Sequence, residues 1–174
     1  MALYLIELTP ANASKDEATT LIETVSNSLS EGAELIETQV SADHKLIFAI
    51  IESENTAFAP ALTAAIGERA SVVGPDEVRL VGAELDDIKK LKKDADYLVE
   101  WDIPAEITME QYLTRKKANA PKYAEVPEVS FLRTYVREDT AKCLCFYDAP
   151  DEDAVVRARE AVSTPIDRLF KLHA

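Results

Sequence analysis

At 174 residues, with 47% hydrophobic and 29% charged side chains, the chain can build one large domain or two small ones. No apolar run approaches the ~18 residues that cross a bilayer. The net charge of −13 repels phosphate backbones and anionic lipid, which argues against nucleic-acid and membrane partners.

The apolar start MALYLIELTP lacks a basic leader and reads as a first strand, with no signal peptide. Residues 14–17, SKDE, form a capping-box signature that opens a helix. Its apolar stripe is Ala18, Leu21, Ile22, Val25 and Leu29. Two extended segments follow, 34–40 and 45–51, joined by the turn SADH. A second helix is expected within 55–70, with Thr56 as a cap, although Pro60 limits where its first turn can lie. A closing strand, EVRLVG, comes after Pro75.

The stretch 83–95 is charged, with Leu85, Ile88 and Leu91 at helical spacing. It is expected to be a linker helix whose lysines form a solvated face.

The pattern then restarts. YLVEW (97–101) echoes YLIEL (4–8), and TMEQ (108–111) repeats the capping box. Segments 129–136 and 142–149 form a second expected hairpin. Pro150 and the acids after it mark another helix start, and DRLFKL closes the copy after Pro165.

Both copies read β-α-β-β-α-β, the ferredoxin-like order. The expected organisation is repeat 1 over 1–82, linker helix over 83–95 and repeat 2 over 96–174. A ferredoxin-like unit covers one sheet face with helices and leaves the other bare, and bare apolar surface costs roughly 25 cal/mol per Å² in water. The expected fold class is therefore α+β: tandem ferredoxin-like repeats packed as a pseudo-dimeric α+β barrel, sheets face to face. Two loosely tethered domains are the alternative.

From FLRTYV to DRLFKL the second half resembles a family of small ferredoxin-like proteins known as a domain of unknown function, with nickel-binding or nickel-responsive members. Phe131 fits its aromatic position, and Thr134, Tyr135 and Val136 fit its Ser-Tyr-Val. Cys145, Tyr147, Ala149 and Pro150 fit its Cys-x-Tyr-x-Ala-Pro, and Pro165, Asp167 and Arg168 its closing segment. The resemblance implies the fold and, by family analogy alone, nickel. Arg133 stands where the family has histidine, and Arg157 and Ala158 where it has a Glu-His pair. Arginine stays protonated and offers no lone pair, whereas nickel favours imidazole or thiolate. The chain's histidines, His44 and His173, fall outside these positions, so no residue is assigned as a metal ligand.

Cys143 and Cys145 share a strand face. They read either as a soft-metal or redox pair or as small buried hydrophobes. As neighbours two apart they cannot staple the fold, which fits a cytoplasmic, reducing location. Glu100, Arg133, Tyr135, Cys145 and Tyr147 are expected on one face, extended by Phe131, as a polar ligand pocket in apolar walls. The competing reading is a structural ion pair between Arg133 and Glu100, or with Glu7 or Glu37 of the first repeat. No catalytic set stands out.

The expected function is non-catalytic binding of a small molecule or a partner protein, by a monomer or homodimer. The alternative is a cofactor-independent isomerase or oxygenase of the dimeric α+β barrel type, an inference from fold alone.

Overall fold

The structure is a computed structural model and describes residues 1–91 and 94–172. The chain divides into two compact units. The first holds Met1–Val78 and the segment that begins at Leu85; the second holds Arg79–Glu84 and 94–172. His173 lies outside the described residues, as do two lysines of the expected linker.

In the first unit, β1 (Ala2–Pro10) leads to α1 (Lys15–Ser28). The hydroxyl of Ser14 accepts from the Glu17 amide at 3.1 Å, which caps the helix. The box stays half made, because the Glu17 carboxylate turns to Arg69 at 3.0 Å. Strands β2 (Glu34–Val40) and β3 (Ile47–Ser53) form the expected hairpin around a tight turn in which His44 takes φ +61°. The second helix, α2 (Ala59–Ile66), begins after Phe58 and not at Thr56. The reason is Pro60: proline fits only the first helical turn, where its missing N–H costs nothing. Strand β4 (Ala70–Val81) starts well before Pro75. Gly74 makes this possible, since it adopts φ +101° and a Cβ there would lie 2.5 Å from the Leu5 carbonyl.

The strands of this unit lie in the order β2-β3-β1-β4, all neighbours antiparallel. Its helices cover one sheet face, burying Ile6, Leu8, Ile47 and Ile51 against Leu21, Val25 and Leu62.

The expected linker helix is short: α3 spans Leu85–Lys89, and Ile88 is buried. Its Lys89 is not simply a solvated charge, since it meets Glu52 at 3.1 Å and Glu34 at 3.4 Å.

The second unit repeats the order. It contains β5 (Tyr97–Asp102), α4 (Met109–Asn119), a 3-10 segment (Ala120–Glu125), β6 (Ser130–Arg137), β7 (Lys142–Asp148), α5 (Glu152–Ala161) and β8 (Arg168–Lys171). Here the capping box closes fully: Thr108 Oγ1 accepts from the Gln111 amide, and the Gln111 side chain accepts from the Thr108 amide. Asp151 caps α5, accepting from the Ala154 amide at 2.8 Å. The strand order β6-β7-β5-β8 matches that of the first unit position for position. Both units thus carry β-α-β-β-α-β, and the fold class is α+β with tandem ferredoxin-like repeats.

Candidate ligand site in the second repeat

Alternation along β5 and β7 sends Tyr97, Val99, Trp101, Cys143, Cys145 and Tyr147 to the helix-covered face of the second sheet. Leu98, Glu100, Leu144 and Phe146 take the other. Strand β6 changes face midway. Phe131 pairs with Tyr147, but Arg133 pairs with Phe146, so a β-bulge at Leu132 inserts one residue.

That bulge corrects the expected single polar face. Phe131, Cys145 and Tyr147 lie under the helices, whereas Glu100, Arg133 and Tyr135 belong to the opposite side. There Arg133 stacks over the Phe146 ring at 4.9 Å, and Tyr135 meets that ring edge-on. Glu100 is buried and lies within ion-pair reach of Lys142 at 3.7 Å and of Arg168. The first repeat has the same bulge, at Ile36, which places Glu37 against Ile50 as Arg133 is placed against Phe146.

Under the helices the second repeat holds a cavity of about 210 Å³. Trp101, Tyr112, Tyr123 and Phe131 supply its aromatic walls, and Cys143 and Cys145 part of its floor. Arg115, Lys116, Lys117 and Arg159 supply its charge. Gly82 also lines the cavity, and only glycine fits there: its φ is +88°, and a Cβ would meet Phe131 at 2.7 Å.

A polar chain braces one wall. The hydroxyls of Tyr123 and Tyr147 share a hydrogen bond of 2.6 Å. Arg159 Nη1 donates to the Tyr147 hydroxyl at 3.1 Å, and Nη2 donates to the Pro165 carbonyl at 2.6 Å. Desolvation works against the charge on Arg159, but Cys145 and Tyr147 outweigh it and hold the guanidinium above its ordinary range. Desolvation pushes the Tyr123 phenol up to about 12 and raises Tyr147 well above 10.0.

The thiols of Cys143 and Cys145 lie 4.0 Å apart, both buried. A hydrogen bond from Cys143, the charges of Lys116 and Arg159, and the Thr134 hydroxyl at 3.2 Å hold the Cys145 thiol well below its usual range, against desolvation. The same sulfur–sulfur contact and burial push Cys143 up. These cysteines share a face, as their spacing requires, and they also line a cavity.

Arg159 escaped the sequence reading. A signal was present: Val155, Ala158, Arg159 and Val162 follow the core spacing i, i+3, i+4, i+7, and all four are buried. Arg157, two residues before Arg159, points outward to Glu128 at 2.5 Å.

Residues 97–172 match the family described as Nickel responsive protein SCO4226-like. The second repeat is thus the SCO4226-like stretch of the chain. No curated protein matches the chain. Solved structures resemble it along its whole length. TA0507, assigned as a chlorite dismutase, is 15% identical, with 100% of this chain and 96% of that chain covered and a TM-score of 0.56. FN1347 from Fusobacterium nucleatum subsp. nucleatum, assigned as a monooxygenase, is 12% identical, with 98% and 90% covered and a TM-score of 0.54. An anthrone oxidase-like protein is 13% identical, with 98% and 89% covered and a TM-score of 0.51. At these identities the likeness is one of fold alone, and these neighbours are of the dimeric α+β barrel type.

The family's description raises nickel, and the residues of the SCO4226-like stretch do not fit it. Among the described residues no three His, Cys, Asp or Glu side chains converge. The two thiols stand in a wall with four cationic side chains, which repel a divalent ion. Among the described residues, no helix is long and apolar enough to cross a membrane.

Proposed function

We propose that this chain is a small-molecule-binding protein whose ligand site is the cavity of its SCO4226-like repeat. The observation that carries this reading is the cavity itself: about 210 Å³ among aromatic walls, with a few fixed polar groups. Of the residues expected to bind ligand, Cys145 lines the cavity and Tyr147 braces it from behind, through Tyr123 and Arg159. Glu100, Arg133 and Tyr135 support the opposite sheet face instead.

A binding role suits the wall better than catalysis. Among the described residues it contains no His, Asp or Glu, the most frequent general bases. Native mass spectrometry of untagged protein purified from cells tests the reading and reports assembly state at the same time. A retained small mass that is lost on unfolding is the expected result. Ala120→Trp, at an exposed position on the cavity rim, should abolish that retention without unfolding the protein. Retention unchanged by this substitution would place the ligand elsewhere.

A further inference from the structure

The cavity of the second repeat runs against the charge of the chain. The protein has 32 acidic and 19 basic side chains, so a random wall would be mostly acidic. This wall instead carries Arg115, Lys116, Lys117 and Arg159 and, among the described residues, no Asp or Glu.

Arg159 is the deepest of the four, at 2% exposure. Its two terminal nitrogens are held by a phenol and a backbone carbonyl, and its Nε has no partner. Neither partner is a carboxylate. A guanidinium withdrawn from water without a carboxylate to pair it is costly, and an incoming anion would relieve that cost. Among the described residues, the source of negative charge in the wall is the Cys145 thiol, which Lys116 and Arg159 help to hold low; as a thiolate it offsets one of the four cations and leaves the wall net positive. Two further cations are fixed over aromatic rings at the same cavity: Lys116 over Phe131 at 4.3 Å and Arg115 over Trp101 at 5.4 Å.

We propose that the cavity takes a small organic carboxylate with a flat apolar body, its anionic end held by Arg159 and Lys116 and its ring by Trp101, Tyr112 and Phe131. This rests on the reading of the cavity as a ligand site and adds the class of ligand. A volume of about 210 Å³ lies below the ~300–1,000 Å³ of sites for drug-sized ligands, which limits the guest to about a single ring. A cationic guest would meet four like charges. A polyphosphate would need more free donors than a guanidinium with two nitrogens already engaged.

Benzoate and benzamide make a matched pair, nearly equal in shape and different in charge. Trp101 is the only tryptophan, so its fluorescence reports the cavity directly. Benzoate should bind the full-length protein at least about tenfold more tightly than benzamide. Arg159→Met should bring benzoate down to the level of benzamide. Lys116→Met, at a half-buried position, should weaken benzoate alone, and it serves if the first variant fails to fold. Equal binding of the two probes would overturn the anion assignment and leave the ligand site standing. No binding of benzoate, benzamide or neutral toluene would overturn both.

Discussion

The Tyr123 hydroxyl lies 2.6 Å from the Tyr147 hydroxyl, and this bond ties the 3-10 segment after α4 to the centre of the second sheet. Tyr147 also accepts from Arg159, so one phenol holds together a strand, a 3-10 segment and a helix. The cavity wall depends on that junction.

Tyr147→Phe keeps the ring and removes the hydroxyl. It leaves a buried guanidinium nitrogen and the Tyr123 hydroxyl without their partner. A loss of about 1–3 kcal/mol in unfolding free energy is expected from urea titration. Tyr123→Phe, at a half-buried position, should cost less.

Alkaline pH should destabilise the second repeat through the same phenols. Tyr123 titrates near 12 when folded and at its ordinary 10.0 when unfolded. A raised folded value means the folded state holds its proton longer, so the contribution is complete below pH 10 and disappears as pH rises from 10 to 12. Tyr147 and Tyr112 act in the same direction. Thermal unfolding across this interval should show a falling midpoint. Tyr123→Phe should flatten the fall.

Gly82→Ala places a Cβ against Phe131 and forces a left-handed backbone on a non-glycine residue. The expected cost is about 1–3 kcal/mol in chemical denaturation. The Phe131 ring should also shift, changing Trp101 fluorescence in the folded protein.

Thr108→Ala opens the closed capping box of α4. A loss of about 0.5–2 kcal/mol is expected. Hydrogen exchange should quicken at the Gln111 amide, which loses its acceptor.

The repeat was legible because its signals are local. Two Tyr-Leu-x-Glu strands, two hydroxyl caps and two hairpins each follow from spacing within about ten residues. The site was not, and the cause is Leu132. Alternation along β6 assigns Arg133 to the face of Phe131, and a single inserted residue reverses everything after it. Nothing in SFLRTYV marks a bulge, since no glycine stands there. Arg159 was hidden differently. Its position in the core stripe of α5 is visible, but the usual bias of arginine toward solvent outweighs that pattern when a sequence is read alone. The start of α2 was half legible: Pro60 limits the first turn, but Thr56 offered a cap that the helix does not use.

Nuclear magnetic resonance mapping with the uniformly ¹⁵N-labelled full-length protein tests the central claim most directly. Titration with benzoate should move the Trp101 indole, the Cys143 and Cys145 amides and the Arg159 Nε–H, while the first repeat stays still. Shifts confined to the first repeat, or none at millimolar benzoate and toluene, would contradict a ligand site in the second repeat.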